Sequence, residues 1–139
     1  MVEIRAMTID DYDQVMDLWL RTPEFGAYPR AYTTDRLAAY LARNPGLSTV
    51  AIADGRVIGT VLCGHDGRKG SMYNVTVSSE HRRQGIAKKM LERSQNGLKA
   101  EGIRVAFLFT YVSSKEAGEF WASQGWTAAP HVLYHDKVM

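Results

Sequence analysis

A chain of 139 residues, 45% hydrophobic and 23% charged, has ordinary globular composition and is long enough to bury a core without disulfides or metals. Its 17 Lys and Arg against 15 Asp and Glu give a net charge of +2, too near neutral to point to nucleic acid or a membrane surface as partner. Cys63 is the only cysteine, which excludes an internal disulfide and a cysteine-based zinc site and suits a reducing, cytoplasmic setting. The first residues, MVEIRAMTIDDYDQ, lack a signal-peptide core, and no apolar run approaches the ~20 residues of a spanning helix. His131 and His135 are spaced i,i+4, but Pro130 and the β-prone residues around them argue against a helix, so no metal site is expected.

Glu3 to Ala6 reads as a first strand. Thr8 then caps a helix through IDDYDQVMDLWL, whose acidic first turn suits the helix dipole. Ile9, Tyr12, Val15, Met16 and Leu18 to Leu20 make its apolar face. Arg21 to Tyr32, with two prolines, a glycine and three aromatics, reads as a loop long enough to be functional. A second helix runs from about Thr34 to Arg43 and stops before Asn44-Pro45-Gly46.

Three strand-like runs follow, separated by Asp54-Gly55 and Asp66-Gly67, two strong hairpin signals that predict an antiparallel meander ending near Val77. From Gly85 to Glu101 the period becomes helical, with Ile86, Met90, Leu91 and Leu98 on one face and Gly102 as the stop. Val105 to Val112 is a continuous apolar run, expected to be a strand buried on both faces. A short helix from Lys115 to Gln124 and a final strand or pair of strands complete the order βααβββαβαβ. The fold class is therefore α+β, a mixed α/β domain spanning residues 1–139, without linkers or repeats.

The stretch HRRQGIAKK, His81 to Lys89, is where chemistry first enters. A strand, a polar turn, one glycine and a helix make a generic anion site, because the first N–H groups of a helix have no internal partner. Gly85 leaves that backbone unobstructed, Ala87 keeps the next position small, and Arg82 and Arg83 add full charges suited to phosphate oxygens. Neither GxxxxGK[ST] nor GxGxxG is present. From the residues alone, a solvated basic helix start fits as well as an anion site.

Arg82-Arg83-Gln84-Gly85-Ile86-Ala87 resembles [R/Q]-x-x-G-x-[G/A], the pyrophosphate loop of the GNAT N-acetyltransferase superfamily. Val75-Thr76-Val77 stands where that family has the strand before the loop. Ala117-x-x-Phe120-Trp121-x-x-x-Gly125-Trp126 is similar to its A-x-x-F-Y-x-x-x-G-F helix and turn. The element order resembles the family fold from residue 3 to the end.

The resemblance implies a central, mostly antiparallel mixed sheet of six to seven strands flanked by about four helices. It implies acetyl-CoA as acyl donor, a primary amine as acceptor and no metal. Carried over residue by residue, Val75, Thr76 and Val77 lie beside the pantetheine arm, with the Val77 backbone N–H as oxyanion donor. Arg82, Arg83, Gln84, Gly85, Ile86, Ala87 and Lys88 surround the pyrophosphate, and Ser114 and Trp121 stand at further cofactor positions. Phe25, Tyr28 and Tyr32, with Tyr134 and His135 opposite, would line the acceptor groove. A homodimer is one arrangement compatible with the family.

Two departures bear on catalysis. The tyrosine that protonates the leaving thiolate in many relatives aligns with Trp121, whose indole cannot do so at neutral pH. The asparagine often found before that helix aligns with Ser114. No glutamate occupies the sheet positions where relatives often place a base; Ser71 and Phe109 stand there. Tyr111 is the replacement acid favoured here, ahead of Tyr73, while His65 and Asp66 read as turn residues and Cys63 as a small buried hydrophobe rather than a nucleophile. The alternative to an enzyme is an acyl-CoA-binding module with lost or altered catalysis.

Overall fold

The computed structural model describes residues 1–22 and 31–139. They form two compact units, Met1–Leu108 and Phe109–Met139, each taken by itself below.

The first unit is built on a sheet in the order β1-β2-β3-β4-β5, comprising β1 (Val2–Ala6), β2 (Thr49–Ala53), β3 (Arg56–His65), β4 (Gly70–Val77) and β5 (Ala106–Phe107). The first four strands are antiparallel neighbours, and β5 joins β4 in parallel. The meander follows from its turns. Asp54 and Gly55 both take left-handed backbone, φ 50° and 73°, as a two-residue hairpin requires. At the next turn the Asp66 carboxylate accepts from the N–H groups of Arg68 and Lys69 at 2.8 and 2.9 Å. These bonds hold its pKa down to about 2.

Helices α1 (Tyr12–Leu20) and α2 (Thr34–Arg43) cover one face of the sheet and α3 (Ile86–Ala100) the other. Alternation along β3 makes the division plain. A side chain at Gly59 would strike Met90 of α3, whereas one at Gly64 would strike Tyr40 and Asn44 at the end of α2. The α1/α2 side packs Val15, Leu18, Trp19 and Leu37 onto Val50, Val57 and Leu62. Thr33 caps α2 as a true N-cap, accepting from Arg36 N–H at 3.3 Å. Ahead of α1, Ile9–Asp11 forms a 3₁₀ turn in which the Asp11 carboxylate accepts from Thr8 N–H and pairs with Arg5. Burial alone would raise the Asp11 pKa, but these bonds outweigh it and the group sits below its ordinary value.

Arg93 is the clamp on the opposite face. One guanidinium nitrogen donates to the Gly46 carbonyl and the Thr49 hydroxyl, each at 3.0 Å, tying α3 to the segment entering β2. Although it falls within the basic run of the sequence, its side chain is committed to the fold.

The second unit contains α4 (Lys115–Ser123), capped by the Ser114 hydroxyl, which accepts from Ala117 N–H at 3.3 Å. Three expectations need correction. The strand proposed for 105–112 is reduced to Ala106–Phe107, and Val105, Phe109, Tyr111 and Val112 are exposed rather than buried. Residues 127–139 form neither helix nor strand, so the described sheet has five strands, fewer than the six to seven expected. Leu20, placed on the apolar face of α1, is 70% exposed. The helix read from Thr8 opens with the 3₁₀ turn and is α-helical only from Tyr12, while the mixed α/β class and the remaining elements stand as read.

Parallel pairing explains the short β5. It lasts only for Gly70↔Ala106 and Ser71↔Phe107, and a strand persists only while a neighbour supplies its hydrogen bonds. Beyond Ser71, β4 has no strand on that side among the described residues.

Candidate functional site

The edge of β4 that pairs with no strand among the described residues and the start of α3 are consecutive in the chain, and their backbone geometry defines the site. Between β3 and β4 the register changes, with Thr60 opposite Thr76 but Leu62 opposite Tyr73, so Asn74 and Val75 together face Val61. This is a β-bulge, and Asn74 carries it with φ 49°. Asparagine tolerates left-handed backbone better than the residues flanking it.

Hydrogen-bond parity tells which way each amide points. On one side of the bulge, Gly70 N–H turns from β3 to the Val105 carbonyl at 2.8 Å. On the other, Ser78 N–H donates to the Ile58 carbonyl, also at 2.8 Å. In an antiparallel ladder, alternate residues bond inward. Ser78 and Thr76 therefore bond to β3, and Val77 and Val75 turn their N–H and C=O groups to the unpaired edge. The Val77 carbonyl does accept from outside, from the Arg82 guanidinium at 3.4 Å.

After a 3₁₀ turn at Ser79–His81, the chain takes left-handed backbone at Arg83 (φ 62°) and again at Gly85 (φ 75°) before α3 begins. Paired left-handed and helical conformations make the concave amide arrays that hold anions. The first helical bond runs from Lys89 N–H to the Gly85 carbonyl, leaving the N–H groups of Gly85, Ile86, Ala87 and Lys88 without intrahelical acceptors. Among the described residues no side chain caps them, and the first turn holds no acidic residue. A Cβ built at Gly85 would meet nothing within 4 Å, so the mouth of the loop is open space. Arg82, Arg83, Gln84 and Lys88 are exposed beside it, while Ile86 is buried as an anchor. A diphosphate fits this arrangement of donors and charge.

The structure thus brings Val75, Thr76, Val77 and Arg82 to Lys88 together as one continuous edge and turn. Tyr32 stands on the α1/α2 side, with its hydroxyl donating to the Asn74 side chain at 3.2 Å. Phe25 and Tyr28 lie outside the described residues. Tyr111, Ser114, Trp121 and Tyr134 belong to the second unit. Within that unit, Tyr111 is 57% exposed, Ser114 serves as the cap of α4, and Trp121 sits edge-on to Phe120 and Trp126 at 5.1 and 5.6 Å. Tyr134 packs on Phe109 at 4.7 Å, and His131 and His135 are exposed.

The remaining candidates resolve plainly. Burial pushes the Cys63 thiol up to about 12, so it is an inert core residue. His65 bonds Glu101 at 2.8 Å and accepts from Gly67 N–H at 3.0 Å, consistent with a turn residue. Among the described residues no three His, Cys, Asp or Glu side chains gather as a metal would need, and no helix is long and apolar enough to cross a membrane.

Sequence reading missed Asn74, Thr60 and Trp19, which build the bulge. The Trp19 indole donates to Thr60 Oγ1 at 2.9 Å, and that hydroxyl donates to the Asn74 carbonyl at 2.7 Å. The one legible sign was an asparagine between Tyr73 and Val75, in a run otherwise suited to a strand.

The sequence pattern of the acetyltransferase (GNAT) family matches residues 12–126. Over 101 residues the chain is 35% identical to acetyltransferase plu1384 of Photorhabdus laumondii, covering 73% of this chain and 69% of that protein. Its fold is similar to that of Ard1 from Thermoplasma volcanium, with a TM-score of 0.80 at 16% identity over 92% of this chain and 84% of that one. It is also similar to the PaiA N-acetyltransferase of Thermoplasma acidophilum solved with coenzyme A, with a TM-score of 0.77 at 18% identity over 89% and 88% of the two chains.

Proposed function

Because the chain belongs to the acetyltransferase (GNAT) family, we propose that it transfers an acetyl group from acetyl-CoA to a primary amine, by direct attack in a complex holding both substrates. Residues 1–139 act as one catalytic domain in this reading. The observation that carries it is the continuity of outward-turned Val75 and Val77 amides with the uncapped N-terminus of α3. The bound coenzyme A in the T. acidophilum relative supports the choice of donor.

Each part of the site has a task. The β4 edge pairs with the amides of the pantetheine arm as an added strand would. The N–H groups from Gly85 to Lys88 receive the diphosphate, helped by Arg82, Arg83 and Lys88. One exposed contact with the helix dipole is worth only about 0.3–1 kcal/mol, so several must converge. The Val77 N–H donates to the thioester oxygen as negative charge grows on it during attack by the amine. The new C–N bond forms, the C–S bond breaks, the thiolate takes a proton from Tyr111 or water, and the attacking nitrogen gives up its extra proton through solvent, which restores the donor. The amine must lose its proton before attack, which is easier for an α-amine of pKa about 7.7–8.0 than for a lysine at about 10.4. Tyr32, with Phe25, Tyr28 and Tyr134, is assigned to the acceptor side.

The test is a panel of amines incubated with acetyl-CoA, with free thiol and acetylated amine both measured. Acetylation of at least one amine, in step with thiol release, is the expected result. Binding of CoA without acetylation of any amine would leave a CoA-binding module in place of an enzyme.

A further inference from the structure

The bulge decides which atoms the β4 edge offers. If the register Leu62↔Tyr73 continued without the extra residue, Val75 and Val77 would be the residues bonding inward to β3, and Thr76 would face the edge. One residue in left-handed backbone reverses that assignment, and the residue is Asn74. Its carbonyl is held from beneath by the buried Thr60 hydroxyl, itself fixed by the Trp19 indole. Its side-chain oxygen accepts from Tyr32, at the far end of the segment that joins α1 to α2. Tyr32 is steadied in turn: its carbonyl accepts from the Tyr12 hydroxyl at 2.6 Å, and its ring meets Trp19 edge-on at 5.4 Å.

We propose that the Tyr32–Asn74 hydrogen bond couples the entry to α2 to the acyl-donor edge, making both residues positioning residues for acetyl transfer. Asn74 sets the direction of the Val75 and Val77 amides, and Tyr32 holds Asn74 in the conformation that does so. By reciprocity, whatever moves Tyr32 alters donor affinity, and donor binding restrains Tyr32. The proposal rests on the functional reading above, in which that edge receives the pantetheine arm.

The experiment is calorimetric titration of the full chain with CoA, for wild type, Tyr32→Phe, Asn74→Gly and the double variant. Glycine adopts φ 49° without strain, so Asn74→Gly permits the bulge but removes the amide by which Tyr32 holds it, and Tyr32→Phe deletes only the hydroxyl. Each single variant should weaken CoA binding about fivefold, the worth of one hydrogen bond, and the double variant should be no weaker than either. Asn74→Asp keeps an acceptor for Tyr32 and should stay within about twofold of wild type. Singles within twofold of a wild type that binds CoA, or a double equal to the product of the singles, overturns the coupling and leaves the function untouched. A wild type that does not bind CoA removes the functional reading itself. Melting temperatures recorded alongside distinguish lost fold from lost affinity.

Discussion

The hydroxyls of Thr49 and Ser94 lie 2.9 Å apart in the buried seam between β2 and α3, and their neighbours fix the direction of every proton. Ser94 donates to the Leu47 carbonyl at 2.7 Å, so Thr49 must donate to Ser94, and Thr49 accepts from Arg93. Ser94→Ala would strand both the Leu47 carbonyl and the Thr49 hydroxyl. We expect a loss of about 1–3 kcal/mol in denaturant unfolding. Thr49→Val should cost less in that background than in wild type, because the partner is already gone.

Gly85→Val separates binding from folding. The side chain would enter open space, so the penalty to the free protein is mainly that of left-handed backbone, about 1–2 kcal/mol. The same atoms would occupy the approach to the amides opening α3. CoA affinity measured by calorimetry should fall by more than about tenfold while the chain stays folded. Unchanged affinity would place the diphosphate elsewhere.

Proton delivery is tested by a pair of substitutions. If Tyr111 protonates the thiolate, Tyr111→Phe should lower kcat about a hundredfold or more, with the KM for acetyl-CoA nearly unchanged. Trp121→Tyr restores the phenol that the resemblance associates with this step and should raise kcat. A wild-type rate in both variants would assign the proton to water.

The acid limit of stability follows from Asp66 and Asp11. Both carboxyls lie below their ordinary value in the folded chain, Asp66 at about 2, held there by the backbone N–H groups of Lys69 and Arg68. An unfolded aspartate titrates near 3.9, so the stabilisation is whole above about pH 5 and is lost as pH falls through the folded values. The gap in melting temperature between wild type and Asp66→Ala should hold steady from pH 8 to about 5 and close toward pH 2. A gap that persists at pH 2 would show that the turn does not depend on the carboxylate's charge.

Legibility followed the range of the forces involved. Thr33 before α2, Asp54-Gly55 between β2 and β3, and Gly102 after α3 are local signals, and each element ends where its signal stands. The turn after β4 was readable for the same reason, since a lone glycine and uncapped amides depend on nearest neighbours. The run from Val105 to Val112 was misread because hydrophobicity reports a wish to be buried but says nothing of where pairing stops. It pairs with β4 only at Gly70 and Ser71, although β4 itself runs on to Val77. Asn74 was missed for a related reason. Its bulge is set by Thr60, Trp19 and Tyr32, which lie 14 to 55 residues away in the chain and meet it only once the sheet has formed.

Arg93 illustrates how a charge can be subtracted from a surface without leaving the sequence. An alanine scan from His81 to Arg93 will sort into two phenotypes. Losses at Arg82, Arg83 and Lys88 should grow milder as ionic strength rises, because salt screens exposed charge. The loss at Arg93 should persist in high salt and appear in CoA-free protein, since what it relinquishes is its grip on Gly46 and Thr49.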